Sequence, residues 1–210
     1  MIVVGVDLGR AIDFTAFVSL GTVDGDHTIR GLDRFRPEDE YGLDVLPRLG
    51  AFMERYAAPE SPIVWDGTGN TGTRFGDLIR GGPLAARYPL YAVVSTHGWR
   101  KANQREDGLI FSPKRDLVTR YRLAVNRGRL RCPASLEWAR ELRGEMRDFV
   151  EWVGPDGLPR WGARRGCHDD IVSSLTLAIW GAEVLFGQGA GGFRSLSIPI
   201  NRRSYREDSC

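Results

Sequence analysis

Hydrophobic positions along this chain change period several times, and each change predicts an element. Residues 2–6 form a short apolar run around Gly5 that stops at its first charge, Asp7. A run of that length predicts a buried strand. Residues 14–20 and 28–35 predict two more, separated by the turn Asp24-Gly25-Asp26, so an antiparallel meander opens the fold. Leu43, Leu46, Leu49, Phe52, Met53 and Tyr56 then recur at helical spacing, until Pro59 and Pro62 end the helix. A strand ending at Asp66, a helix over 71–80 and a strand over 90–94 follow. Residues 98–112 are polar and basic and read as a hairpin or a loop inserted near the groove. Helices are predicted over 114–126 and 136–149. A hairpin is predicted from 149–153 and 158–161 around Gly154-Pro155-Asp156-Gly157. The last helix runs from about 169 to 186. The order predicts an α/β fold: a mixed sheet, antiparallel in its first three strands and parallel afterwards, with helices on both faces. One domain is expected over 1–187, and a loosely ordered Gly-rich and basic tail over 188–210.

Composition narrows the choice only slightly. A chain of 210 residues with 42% hydrophobic content can bury one core, and its formal charge of +2 says little by itself. The distribution says more. Between Trp99 and Arg131 lie ten basic residues against three acidic ones, so the remainder is net acidic. Such a segment suits a polyanion, although a charge run also serves as a solvated helix face. Cys132, Cys167 and Cys210 lack any CxxC spacing, which argues against a zinc site or a disulfide framework and for a reducing compartment. The amino terminus has no signal-peptide pattern. Ser173, Ser174, Thr176 and Glu183 interrupt the apolar run over 171–186, which is shorter than the ~20 residues of a membrane span. A soluble protein with no membrane contact is expected.

The candidate chemistry is acidic. Asp7 and Asp66 each end an apolar strand, and His168-Asp169-Asp170 opens the last helix. A lone aspartate at a strand end is often just a turn former. Carboxylates from three elements together supply hard oxygen ligands for divalent cations. Asp169 and Asp170 point ~100° apart on a helix, so they are not equivalent ligands. His168 could bind metal, act as a base, or only fix the helix start, and the last role is favoured. Gly67-Thr68-Gly69-Asn70-Thr71-Gly72-Thr73 imitates a phosphate loop but lacks its lysine, so no nucleotide is expected.

Taken in order, these motifs resemble the nuclease domain of the large terminase subunit of tailed bacteriophages, within the RNase H-like, resolvase-related superfamily. Gly5-Val6-Asp7-Leu8-Gly9 with Asp13-Phe14-Thr15-Ala16 is similar to its first hairpin, and Val64-Trp65-Asp66-Gly67-Thr68-Gly69 to its second acidic strand. Lys114-Arg115-Asp116-Leu117, Gly128-Arg129-Leu130 and Glu141-Leu142 match its middle. His168-Asp169-Asp170-Ile171-Val172, with Leu175 and Ala178, resembles its closing helix. The resemblance spans residues 2–186. It implies that Asp7, Asp66, Asp169 and Asp170 are catalytic and hold two Mg²⁺ or Mn²⁺ ions that cut double-stranded DNA, while cations that contact phosphate and not base edges predict little sequence preference. Arg100, Lys101, Arg105, Lys114 and Arg115 are expected to hold that DNA, unless residues 98–112 block the groove instead. The implied partners are the terminase ATPase motor, the small terminase subunit and the portal, in the cytoplasm of an infected bacterial host. No ATPase motif is present, so an excised domain or a separately encoded nuclease half is expected. A junction resolvase of the same fold and a nuclease-dead DNA-binding module are the alternatives. A fragment of an actin-like or sugar-kinase-type phosphotransferase is a minor third.

Overall fold

The computed structural model describes residues 1–9, 13–38, 41–96 and 108–187, with the backbone of 103–104. The meander forms as expected from β1 (Ile2–Asp7), β2 (Thr15–Val23) and β3 (Asp26–Phe35). β1 and β3 both pair antiparallel with β2, and the β2–β3 register slips between Ser19 and Leu20. Next come α1 (Val45–Tyr56), β4 (Ile63–Asp66), α2 (Gly69–Arg80), a single turn α3 (Leu84–Arg87) and β5 (Leu90–Thr96). β6 (Asn103–Gln104) and β7 (Leu109–Pro113) pair antiparallel, so the inserted segment is a hairpin where it is described. α4 (Lys114–Asn126), β8 (Leu130–Arg131), α5 (Ala139–Asp148), β9 (Phe149–Val153), β10 (Pro159–Ala163) and α6 (Asp170–Trp180) complete the order.

Eight strands make one sheet in the order β6-β7-β5-β4-β1-β2-β3-β8, and β9 and β10 make a separate ribbon. β4 lies parallel to β1, β5 to β4, and β7 to β5. The sheet is therefore mixed as the sequence predicts, antiparallel first and parallel afterwards.

Side chains alternate across a strand, and the two faces of the sheet build two cores. Val4, Val6, Phe17 and Trp65 pack with Leu49, Phe52 and Met53 of α1 and with Phe75 and Ile79 of α2. Ala16, Val18, Leu20 and Leu32 meet Tyr121 of α4, Leu142 of α5 and Ile171, Leu175 and Ala178 of α6 on the other face. Val3, Val64 and Val93 extend this second core with Leu177 and Trp180. α6 is buried along nearly its whole length, as expected of a helix that is apolar all round.

Three helices differ from their predicted extents, and α2 begins two residues early, at Gly69. α5 starts at Ala139 because Trp138 adopts a left-handed conformation at φ 66°, which cannot continue a helix. α6 stops at Trp180, and residues Gly181–Leu185 form a π-helical turn. That turn places Glu183 between His27, at 3.3 Å, and Arg120, at 3.0 Å. The tail over 188–210 and residues 97–102 and 105–107, with Arg100, Lys101 and Arg105, lie outside the described residues.

Candidate metal centre

Alternation decides where the strand-end carboxylates point. Val3, Gly5 and Asp7 share one face of β1, and Val64 and Asp66 share the same face of β4, because Val3 and Val64 both belong to the core under α6. Val6 is aligned with Trp65 across the parallel pair. Asp7 and Asp66, each one residue further on, therefore end neighbouring strands side by side.

Glycine brings the third element into reach. A Cβ on Gly5 would collide with the Ser174 carbonyl and stand 2.9 Å from the Ala178 nitrogen. α6 thus lies directly on β1 there, and the Ser174 hydroxyl donates to the Gly5 carbonyl at 2.8 Å. Further along, Gly181 sits against Val3 and Val64. The helix therefore runs antiparallel to β1, and its first residues reach the strand ends that carry Asp7 and Asp66.

Electrostatics register the convergence. Burial pushes the Asp7 carboxyl well above its ordinary range, and the charges of Asp66, Asp170 and Asp169 push it further, while Lys114 opposes them. Burial also raises Asp169, against the pull of Lys114, and raises Asp170, against a hydrogen bond from Arg34. The two neighbours differ in their surroundings. Asp170 accepts from Arg34 Nη2 at 3.1 Å and lies 3.6 Å from His168 Nδ1. Asp169 is held by the Ala163 backbone N–H and stands against Gly162.

Of the expected cations, Lys114, in the first turn of α4, is the one whose charge acts on Asp7 and Asp169. Arg115, next to it, lines a cavity with Arg122, Glu151 and Trp161 against the β9–β10 ribbon. His168 is exposed, and it touches the site through Asp170 and through an edge contact with Phe14 at 5.0 Å between ring centroids.

Sequence reasoning missed the supports behind the carboxylates. Arg34, only 9% exposed, bridges Asp170 and Glu145 Oε1, 3.4 Å away, with its guanidinium 3.6 Å from the Phe14 ring centroid. Glu145 Oε2 accepts the N–H groups of Ile171 at 2.8 Å and Val172 at 3.1 Å, so it caps the first turn of α6. Burial pushes its carboxyl up to about 7, against those two bonds and Arg34. One available signal was its spacing. Glu145 follows Ala139 and Leu142 on the buried stripe of α5, where a carboxylate needs a partner.

The donor set suits a hard divalent cation. Among the described residues, no three acidic, histidine or cysteine side chains are already gathered closely enough to hold one jointly. Asp66 Oδ1 accepts the Thr68 N–H at 2.8 Å. A cation there would offset both the burial and the neighbouring negative charges that raise Asp7. No helix among the described residues is long and apolar enough to cross a membrane.

No family model and no curated protein matches the sequence. Solved structures do match. The large terminase nuclease of the thermophilic phage G20c, with bound magnesium, superposes at a TM-score of 0.62 with 22% identity over 85% of this chain and 80% of that one. The large terminase nuclease domain of Thermus phage P74-26 gives 0.59 with 21% identity over 92% and 83%. The manganese-soaked terminase nuclease domain of human cytomegalovirus gives 0.55 with 14% identity over 85% and 82%. The antiparallel meander, the parallel strands beyond β1 and these likenesses together give the chain the RNase H-like fold of large terminase nuclease domains.

Proposed function

We propose that the chain is a divalent-metal-dependent endonuclease that cuts concatemeric double-stranded viral DNA for a phage packaging terminase. The observation that supports this reading is the convergence of β1, β4 and α6 toward one end of the sheet, where burial first, and then the charges of Asp66, Asp170 and Asp169, raise the Asp7 carboxyl. Those four carboxylates would hold two Mg²⁺ or Mn²⁺ ions. Ions bound there would supply an activated water and positive charge for the leaving oxygen. The rest falls to the chain. Arg34 fixes Asp170, Glu145 fixes the start of α6, and Lys114 draws the phosphate backbone toward an otherwise acidic surface. Basic groups of this kind contact phosphate and not base edges, so cutting has little sequence specificity. Arg100, Lys101, Arg105 and Arg115 extend the same role. The motor, the small terminase subunit and the portal are the proposed partners, and residues 1–187 the proposed nuclease domain.

Plasmid digestion tests the reading. Cutting is expected with Mg²⁺ or Mn²⁺, none with EDTA, and a loss of at least ~100-fold in Asp7→Ala, since a metal ligand rather than core volume is removed. Unchanged digestion by Asp7→Ala, or in EDTA, would overturn it.

A further inference from the structure

The β9–β10 ribbon stands apart from the main sheet, so its two faces meet different surroundings. One face turns to α4: Phe149 meets the Tyr121 ring at 5.9 Å, and Glu151 accepts from Arg122 at 2.6 Å. The other carries Val150 and Trp152 on β9, paired with Gly162 and Arg160 on β10. This second face looks at the carboxylate centre. A Cβ on Gly162 would stand 3.3 Å from Asp169 Oδ2 and 3.4 Å from Trp152 Cη2. Carboxylate and indole therefore meet over the same glycine.

Trp152 is 42% exposed and belongs to none of the three buried clusters. An indole left half in water contributes little to the core, whereas Trp65 and Trp180 are fully buried. Its flat apolar surface adjoins a centre whose charge suits cations and, through them, a phosphate. Arg160, across from Trp152 in the ribbon, is paired with Asp156 at 3.2 Å near the hairpin turn. A phosphate at the carboxylates with an aromatic plane beside it matches the two ends of one nucleotide.

We infer that Trp152 is a stacking platform for an unpaired nucleobase of the strand whose phosphate is held at the carboxylate centre. The inference rests on the nuclease reading above and goes beyond it. Bases inside an intact duplex have both faces covered by their neighbours. The platform therefore takes only a base at a mismatch, a nick or a frayed end, and cutting is faster where the duplex is already opened.

The test compares an intact duplex with the same duplex carrying a short mismatched bubble, and a third in which the unpaired residue is abasic. Single-turnover cleavage is measured in Mn²⁺ and binding in Ca²⁺, for the wild type, Trp152→Phe, Trp152→Leu and Asp7→Ala. The wild type is expected to prefer the bubble by about tenfold, the scale of one base–aromatic stack. Trp152→Phe keeps most of that preference. Trp152→Leu, which still covers Gly162 but offers no π-face, loses it, and the abasic duplex abolishes it in the wild type. Preference surviving in Trp152→Leu, or a wild type that cuts bubble and duplex alike while Asp7→Ala cuts neither, would overturn the platform and leave the nuclease reading standing. A wild type that cuts no DNA in any metal would overturn both.

Discussion

Arg34 links two of the buried carboxylates, Asp170 and Glu145. Its guanidinium is almost fully buried, touches Asp170 and Glu145, and lies on the Phe14 ring. Removing one member of a buried charge cluster leaves the others uncompensated, at a cost of about 3–5 kcal/mol. Arg34→Met is therefore expected to lose that much in urea unfolding, although methionine fills much of the space. A loss under ~1 kcal/mol would mean that the two carboxylates take up protons instead. Asp7 carries the opposite imbalance. Burial and three neighbouring carboxylates raise its pKa in the folded chain. A raised carboxyl favours folding below its unfolded pKa, ~3.9, and that contribution is lost as the pH rises through the folded value. Without metal, Asp7→Asn is thus expected to melt higher than the wild type at pH 8 and about the same at pH 4. Added Mn²⁺ should reverse the order at pH 8, because a ligand at 100 times its Kd stabilises by about 2.7 kcal/mol and the variant loses a donor. Melting curves in EDTA and in Mn²⁺ check both signs.

α6 and β1 are the elements that assemble the centre, and one missing side chain lets them. Gly5 leaves room for the helix backbone, so Gly5→Ala forces α6 off the strand or strains both. Overpacking of this kind costs about 1–3 kcal/mol, and it moves Asp169 and Asp170 away from Asp7. Lower thermal stability with cleavage reduced more than folding is expected. A fully active Gly5→Ala would show that the helix position does not set the site. These two elements were also the most legible in the sequence. The apolar run before Asp7 and the charge-then-apolar switch at Asp169 are strong local signals, whereas Asp66 comes beside Asp7 only through the parallel pairing of β4 with β1. Arg34 was not legible, because a charged residue in a strand reads as solvated until its partner is known, and Glu145 showed only as a carboxylate spaced with Ala139 and Leu142 on one stripe of α5. The ends of α5 and α6 escaped for a related reason. The left-handed Trp138 and the widened turn at Glu183 answer to tertiary neighbours and not to periodicity.

At the scale of the whole molecule, the sheet order brings together residues far apart in the chain. The elements carrying Asp7, Asp66 and the Asp169–Asp170 pair come to one end of the sheet because β4 is parallel to β1 and α6 returns across both. Lys114 reaches the same end from α4, and β9–β10 flanks it beside Asp169. Carboxylates, Lys114 and an exposed indole thus share one edge of the fold, while the helices on both faces cover its cores. The anomalous signal of crystals soaked in Mn²⁺ reads that arrangement directly. Peaks coordinated by Asp7, Asp66 and at least one of Asp169 and Asp170, and absent in Asp7→Ala, are expected. Strong peaks elsewhere with this end of the sheet empty at saturating Mn²⁺ would contradict the metal centre.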